Sequence, residues 1–249
     1  MGFHLNWIGA LEAISKRMAG GEFWREHDAV LVRTGIPLAV FNGVLMNNGA
    51  TLNLARLNEL IEPFRHSSMP YAVQIISERR TPTLEGILTR ARFAEMLCDP
   101  LMMCEGDLAL PDLNPEVRVD FVQRDEDRAW YTRSVMEGFD MAGTVAGEFL
   151  ETILAMPEAH HVIAWYRDEL AGAGSLLLTG GVAGIYNVTT LPFARRRGVA
   201  VAIMDALHRR ALDAGYTATT LASSQMGIPL YKRLGYRSDG YQIAYVPVY

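Results

Sequence analysis

The run from Asn187 to Val201 constrains the fold of this chain more than any other segment. It reads NVTTLPFARRRGVAV, in which a strand-like stretch ends, Pro192 interrupts it, three arginines follow and a helical pattern begins at Gly198. That pattern continues to about Ala214 with apolar residues on one stripe, and a glycine follows as a stop signal. A buried strand that passes directly into an amphipathic helix is typical of α/β sheets.

The residues around this run continue the alternation of strands and helices. Alternating or apolar runs before it predict strands at 117–122, 161–167, 170–179 and 182–190, and helical patterns at 127–137 and 145–156. After it, we expect a strand at 217–223, a short helix at 227–234 and a strand at 240–246. The order β-α-α-β-β-β-α-β-α-β predicts a mixed α/β (α+β) sheet.

The stretch from Leu170 to Ala194 carries no charged residue and is long enough to imitate a membrane span. It also contains five glycines and Pro192, which disfavour a continuous helix. The pair Gly180-Gly181 stands between two strand-like runs, where a tight hairpin needs positive φ angles. The stretch therefore predicts two buried strands joined by a turn.

The first hundred residues predict a second, smaller α/β domain. Their patterns indicate a hairpin over 29–46, a helix at 54–64, a strand at 71–77 and a helix from Leu84 to Leu97. This order repeats that of the second part without clear identity, as a diverged internal duplication would. The proline-containing segment from Leu108 to Val117 predicts a linker. We therefore expect an N-terminal domain at 1–112 and a C-terminal domain at 113–249.

Charge and cysteine content exclude several classes of function. The formal net charge is -5, so no global basic field is available to hold nucleic acid or an anionic membrane. Cys98 and Cys104 lack the partners of a disulfide framework or a zinc site, and His160-His161 would point to opposite faces of a strand. With no signal peptide pattern at the N-terminus, we expect a cytoplasmic protein without a metal. Oligomeric state stays open, a homodimer included.

The arginine-rich loop has sequence features that favour anion binding. A helix N-terminus presents unpaired backbone N–H groups and a partial positive charge, which together bind phosphates. The small residues Gly198 and Ala200 let an anion approach the backbone, and the arginines add charge. The alternative is a solvated charge run with a simple glycine cap. That alternative does not explain why a buried strand leads straight into the loop.

Two motifs resemble the signatures of the GNAT superfamily of acetyl-CoA-dependent N-acyltransferases. Arg195-x-x-Gly198-x-Ala200 fits the Arg/Gln-x-x-Gly-x-Gly/Ala signature and lies between a strand and a helix, as it does in that family. Downstream, the segment IPLYKRLGY at 228–236 is similar to the second signature, an aliphatic-Tyr pair before a Leu-Gly-aromatic turn. The resemblance covers Val117 to Tyr249. It implies a C-terminal GNAT fold, with the N-terminal domain as a degenerate GNAT-like repeat.

The resemblance also implies residue roles. Backbone groups of Val188, Thr189 and Thr190 would pair with the pantetheine arm of acetyl-CoA, and Ser224 stands where many relatives carry Asn for the same purpose. The pyrophosphate would bind at the arginine loop and helix start, formed by Arg195, Arg196, Arg197, Gly198, Val199, Ala200 and Val201. Tyr231 would protonate the departing thiolate, with an amine as the acceptor.

Several alternatives stay open at the level of the sequence. Glu137, Glu148 and Glu158 are candidates for the general base, although each is more typical of a solvated carboxylate. Tyr231 could be a core aromatic, in which case the chain would be a non-catalytic acyl-CoA-binding or ligand-sensing module. A longer acyl group could replace acetyl. No arginine occurs at 47–51 and no similar motif precedes Pro111, so we expect one CoA site per chain.

Overall fold

The computed structural model describes residues 2–47, 52–77, 82–140 and 144–248, and the strands in these ranges form one 11-stranded sheet. The strands are β1 (Glu22–Arg25), β2 (Ala29–Arg33), β3 (Asn42–Met46), β4 (Ala72–Ser77), β5 (Phe93–Glu105), β6 (Val117–Phe121), β7 (Ala159–Tyr166), β8 (Glu169–Thr179), β9 (Val182–Thr190), β10 (Ala218–Ala222) and β11 (Arg237–Pro247). The helices are α1 (Gly2–Ser15), α2 (Leu54–Arg65), α3 (Pro82–Arg90), α4 (Asp125–Gly138), α5 (Thr144–Leu154), α6 (Val199–Asp213) and α7 (Ile228–Arg233). Two 3-10 turns cover Ala39–Phe41 and Pro192–Ala194.

The strand order shows that the two halves of the chain repeat one arrangement. The order across the sheet is β1-β2-β3-β4-β11-β5-β10-β9-β8-β7-β6. In the first half, β2 is antiparallel to β3, which is parallel to β4, which is antiparallel to β11. In the second half, β8, β9, β10 and β5 follow the same sequence of directions. The mixed α/β sheet and its repeat are confirmed.

The last strand of each half is exchanged at the centre of the sheet. β5 comes from the first half but lies between β10 and β11, while β11 pairs with β4 and β5. Each half thus supplies a strand that the other half uses. The boundary between residues 112 and 113 falls in a loop but does not divide the sheet, and the division into domains at 1–112 and 113–249 stays a prediction.

The prediction of one helix from Leu84 to Leu97 is wrong beyond Arg90. The helix α3 ends there, Arg92 has a φ of 59°, and β5 starts at Phe93. The residues at 94–97 are good helix formers, but this part of β5 is paired with β11, and such tertiary pairing overrides weak local propensity. The glycine hairpin is confirmed, because Gly180 and Gly181 have φ angles of 60° and 74° between β8 and β9. None of the described helices is long and apolar enough to cross a bilayer.

Helix α1 ties the first half of the chain to the second through Asn6. The side chain of Asn6 is fully buried, and its Nδ2 lies 2.7–3.2 Å from the carbonyl oxygens of Leu177, Thr179 and Val182. Its Oδ1 accepts a hydrogen bond of 2.6 Å from the hydroxyl of Tyr186. Asn6 therefore satisfies the polar groups at the β8–β9 hairpin that α1 covers.

We expect Asn6→Ala to lower the free energy of unfolding by roughly 2–4 kcal/mol, because it leaves buried carbonyls and a buried hydroxyl without partners. Urea denaturation of the full chain measures the change. Asn58→Ala is the matched control: Asn58 is exposed on α2, and its loss should change the free energy by less than about 0.5 kcal/mol. Equal midpoints for Asn6→Ala and wild type would contradict the role of Asn6.

Candidate active site

The candidate site begins where two parallel strands separate. β9 and β10 pair only at Ala183 with Thr219 and at Gly184 with Thr220, although β9 continues to Thr190. Beyond Gly184, β9 is paired with β8 but has no ladder partner on its other side in the described chain. The corresponding strands of the first half, β3 and β4, stay paired to the end of β3.

A bulge in β9 lies beside this opening. Ser175 pairs with Tyr186 and Ala173 pairs with Thr189, so β9 has one extra residue between these two pairs. Asn187 occupies the bulge with a φ of 53°. The extra residue reverses the alternation of side chains. The side chain of Tyr186 therefore contacts α1, and that of Thr189 contacts α4. Val188 packs against the apolar cluster that contains the buried residues of α6 (the α6 cluster).

A chain of buried polar side chains is attached to the bulge. Asn187 Nδ2 donates to the hydroxyl of Tyr131 at 3.1 Å, and that hydroxyl is hydrogen-bonded to Ser175. Ser175 lies 2.9 Å from Nδ1 of His161, whose Nε2 lies 3.0 Å from the carbonyl oxygen of Ile153. Burial raises the pKa of Tyr131 to about 12 and lowers the pKa of His161 to about 4, so both side chains are neutral near pH 7.

The lowered pKa of His161 predicts a loss of stability on acidification. Unfolded chains take up a proton at this histidine below about pH 6.5, whereas the folded protein does so only near pH 4. The stability contributed by neutral His161 is therefore fully present above pH 6.5 and falls by up to about 3 kcal/mol as the pH drops towards 4. Denaturation at a series of pH values measures this loss. His161→Gln should flatten the pH dependence, and an unchanged slope in that variant would contradict the assignment.

The loop after β9 has the geometry of an anion site. Arg196 and Gly198 have left-handed φ angles of 63° and 86°, and α6 starts at Val199 with no acidic residue in its first turn. Asn114 of the linker donates a 2.8 Å hydrogen bond to the carbonyl oxygen of Arg197, which fastens the loop from outside. In the described ranges, none of the guanidinium groups of residues 195–197 is paired with a carboxylate. Arg195 Nε donates at 3.5 Å to the carbonyl oxygen of Thr190. The pKa of Glu116 is lowered mainly by its hydrogen bond to Arg167 and also by the nearby charge of Arg197.

Two further observations fit a ligand at this place. Thr190 Oγ1, at the end of β9, is a buried side-chain oxygen that has no hydrogen-bond partner among the described residues. A Cβ built on Gly198 would make an ordinary van der Waals contact with Asn114 Cβ, at 3.4 Å, and would meet no other described atom within 4 Å. A buried hydroxyl without a described hydrogen-bond partner, next to arginines that pair with no described carboxylate, suits a ligand that carries both polar amides and phosphates.

Tyr231 lies on α7 and belongs to the same apolar cluster as Val199 and Leu221. Its side chain is 9 % exposed, and its ring centroid is 5.8 Å from that of Tyr236. The hydroxyl of Tyr236 bonds Thr219, but that of Tyr231 has no hydrogen-bond partner among the residues that the structure describes. Burial raises the pKa of Tyr231 to about 12, so its hydroxyl keeps its proton at neutral pH.

Ser224, Glu137 and Glu148 are exposed, and Glu158 is half-buried. Ser224 lies in the loop before α7, where its hydroxyl accepts from the amide of Gly227 at 3.3 Å. Glu137 forms an ion pair with Arg133 at 2.7 Å, and Glu158 forms one with Arg17 at 3.1 Å. Glu148 is exposed on α5. These contacts give none of the three glutamates the buried, unpaired setting of a general base.

The structure thus places the end of β9, the arginine loop and the start of α6 in one continuous stretch beside the strand opening, with Tyr231 in the cluster next to it. Their individual roles stay predictions. The sequence interpretation missed Tyr131, Ser175 and His161, and gave Asn187 no role. One signal was available: Asn tolerates left-handed φ, and here it interrupts an alternating strand.

Comparisons with known proteins agree with this geometry. Residues 121–236 match the sequence model of the Acetyltransferase (GNAT) family, and this part of the chain is a GNAT acetyltransferase domain. Over 118 residues the chain is 34% identical to N-acetyltransferase Eis of Mycobacterium bovis, a match that covers 47% of this chain and 26% of that protein. The matched region is thus about a quarter of the length of this relative.

Solved structures extend the similarity of fold to the whole chain. A GCN5-related N-acetyltransferase from Kribbella flavida superposes with a TM-score of 0.77 at 16% identity, covering 99% of this chain and 96% of that one. A tandem GNAT protein from the clavulanic acid biosynthesis pathway superposes with a TM-score of 0.62 at 12% identity, covering 97% and 93%. The repeated halves therefore have the fold of a tandem GNAT protein.

Proposed function

We propose that this chain transfers an acetyl group from acetyl-CoA to a primary amine of an acceptor molecule. The opening between β9 and β10, which leads directly into a loop of arginines that pair with no described carboxylate, carries the proposal. An extended amide-containing arm can pair with the free side of β9, and phosphates can bind at the loop. The relatives named above are acetyltransferases, which supports the same chemistry.

The residues that would hold acetyl-CoA follow from this arrangement. Backbone groups of β9 from Val188 to Thr190 would pair with the pantetheine arm at the opening, and the buried hydroxyl of Thr190 would gain a partner. Backbone amides from Arg196 to Val201 would hold the pyrophosphate, with the guanidinium groups as counter-charges. Ser224 would contribute a hydroxyl from the loop before α7.

Acetyl-CoA supplies the acetyl group as a thioester, which a neutral amine can attack. Backbone N–H groups near Val188 would stabilise the negative charge that develops on the carbonyl oxygen. The free hydroxyl of Tyr231 would donate a proton to the departing thiolate. The acceptor amine must lose a proton, which a water chain can remove to solvent.

Incubation of the protein with acetyl-CoA and a panel of amines tests the proposal. We expect release of free thiol that depends on one class of amine, with an acetylated product in the mass spectrum. Propionyl-CoA in the same assay separates acetyl from longer acyl donors. Binding of acetyl-CoA without turnover on any amine would favour the non-catalytic CoA-binding module instead.

Calorimetric titration should give one molecule of acetyl-CoA per chain. Within the described ranges, only the second half combines separated parallel strands with an arginine loop, because β3 and β4 stay paired. Residues 48–51, in the segment that also lacks arginine, lie outside the described residues. A helix start without cationic side chains contributes only about 1 kcal/mol, against about 8 kcal/mol for micromolar affinity. A stoichiometry of two would contradict this prediction.

A further inference from the structure

We propose that Tyr131 and Asn187 are positioning residues. Their hydrogen bond holds the bulge in β9, and the bulge sets the orientation of Val188 and Thr190 beside the opening between β9 and β10, here called the donor cleft. The inference rests on the proposed function, since the cleft is the one that would take acetyl-CoA. Neither residue is placed against the reacting atoms. They would act by fixing the shape of β9.

The hydrogen bonds of this network have a single consistent direction. The carbonyl oxygen of Ile153 can only accept, so Nε2 of His161 carries the proton and Nδ1 accepts from Ser175. The hydroxyl of Tyr131 then donates to Ser175 and accepts from Nδ2 of Asn187. Both hydroxyls and both ring nitrogens of the network have partners, and a satisfied buried network rigidifies its surroundings. The bulge residue is one end of this network.

The bulge determines which side chains of β9 face α6 and which face α1 and α4. With strict alternation, Val188 would share the face of Tyr186, towards α1, and Thr189 would face α6. The extra residue reverses this, so that Val188 packs with the α6 cluster and Thr189 contacts α4. The left-handed φ of Asn187 carries an energetic cost for a residue with a side chain, and its hydrogen bond to Tyr131 offsets that cost.

Helix α4 contacts β9 at the bulge and just after it. Tyr131, Ser134 and Gly138 are spaced by three and four residues, which puts them on one face of the helix. Ser134 Oγ lies 3.3 Å from Thr189 Oγ1, and a Cβ on Gly138 would come within 2.5 Å of Thr189 Cβ. The helix therefore fits closely against the strand just after the bulge, while Tyr131 holds the bulge itself.

A double-mutant cycle on turnover tests the inference. Tyr131→Phe removes the hydroxyl, and Asn187→Gly removes the amide while keeping a residue that adopts left-handed φ freely. We expect each variant to lower kcat by roughly tenfold, because the N–H groups near Val188 that would stabilise the oxyanion are displaced. The arginine loop would still hold the pyrophosphate, so the Kd for acetyl-CoA should stay within about threefold of wild type. Because both substitutions break one hydrogen bond, the double variant should be no slower than the slower single variant.

Tyr186→Phe is the matched control, since it removes a buried hydroxyl from the neighbouring residue of β9, where the partner is Asn6 of α1. It should lower the melting temperature yet leave kcat within about threefold of wild type. The amide resonances of Val188 and Thr189 provide a readout without turnover, and we expect them to move in Tyr131→Phe and Asn187→Gly. Wild-type kcat and unmoved resonances in those variants would overturn the inference.

Failure of the proposed function would look different. Wild-type protein would then release no thiol with any amine, whereas failure of the positioning role leaves wild-type turnover intact and the variants equal to it. With an inactive wild type, unmoved amide resonances in both variants would still refute the anchoring of the bulge. If the two losses multiplied, so that kcat of the double variant fell by about a hundredfold, the two residues would act separately. That result would contradict the inference.

Discussion

Gly198→Glu is expected to abolish binding of acetyl-CoA in calorimetry while the protein stays folded. Gly198 precedes α6 with a φ of 86°, at the place where an anion would approach the backbone amides. A glutamate there would be strained in the left-handed region and would repel phosphate. The expected loss exceeds the range of the titration, at least a hundredfold in Kd, since about 3 kcal/mol of attraction is lost.

Gly215→Glu separates the loss of the site from the strain of the substitution. Gly215 lies just beyond the other end of α6 with a φ of 87°, and a Cβ built there meets no other atom within 4 Å. A glutamate at position 215 therefore has the same backbone strain and the same change in charge as one at position 198, but it lies far from the arginine loop. We expect the Gly215→Glu variant to lose stability but to bind acetyl-CoA like wild type.

Ala200→Glu removes the strain altogether, because Ala200 lies within the first turn of α6. A carboxylate in the first turn of a helix stabilises it by roughly 0.3–1 kcal/mol, so this variant should be at least as stable as wild type. Its affinity for acetyl-CoA should nevertheless fall at least tenfold. Unchanged affinity in both Gly198→Glu and Ala200→Glu would remove the phosphate loop from the proposal.

Local patterns were sufficient to predict most of the second half of the chain. The predicted strand at 182–190 has the observed bounds of β9, and the predicted helix after Gly198 matches α6, since both have clear periodicity and sharp stop signals. Helix α1 was not predicted. It is buried on most sides and therefore has no single apolar stripe from which a helix could be recognised.

The features that were missed depend on contacts between distant residues. The character of β5 comes from its pairing with β10 and β11, more than a hundred residues away in the chain, and not from its own composition. The network at Asn187 joins residues from α4, β7, β8 and β9, each of which is unremarkable in its own segment. The motifs predict a phosphate site at the arginine loop, which stays a prediction, but they give no indication of the hydrogen bonds that hold the strand before it.

Tyr231→Phe is expected to lower kcat by roughly ten- to a thousandfold with little change in affinity for acetyl-CoA. The substitution keeps the ring and its contact with Tyr236 but removes the hydroxyl. That hydroxyl has no partner in the described part of the chain, and a pKa raised to about 12 by burial keeps it protonated throughout the neutral range. A thiolate that leaves without a proton donor departs more slowly.

Tyr236→Phe is the matched control for this prediction. Tyr236 is a second buried tyrosine, whose ring centroid is 5.8 Å from that of Tyr231, but its hydroxyl is already bonded to Thr219 at 2.6 Å. Its loss should therefore reduce stability by about 1 kcal/mol or more and leave kcat within about threefold of wild type. If instead Tyr231→Phe turned over like wild type, Tyr231 would be a packing residue, and the free hydroxyl would have no part in the transfer.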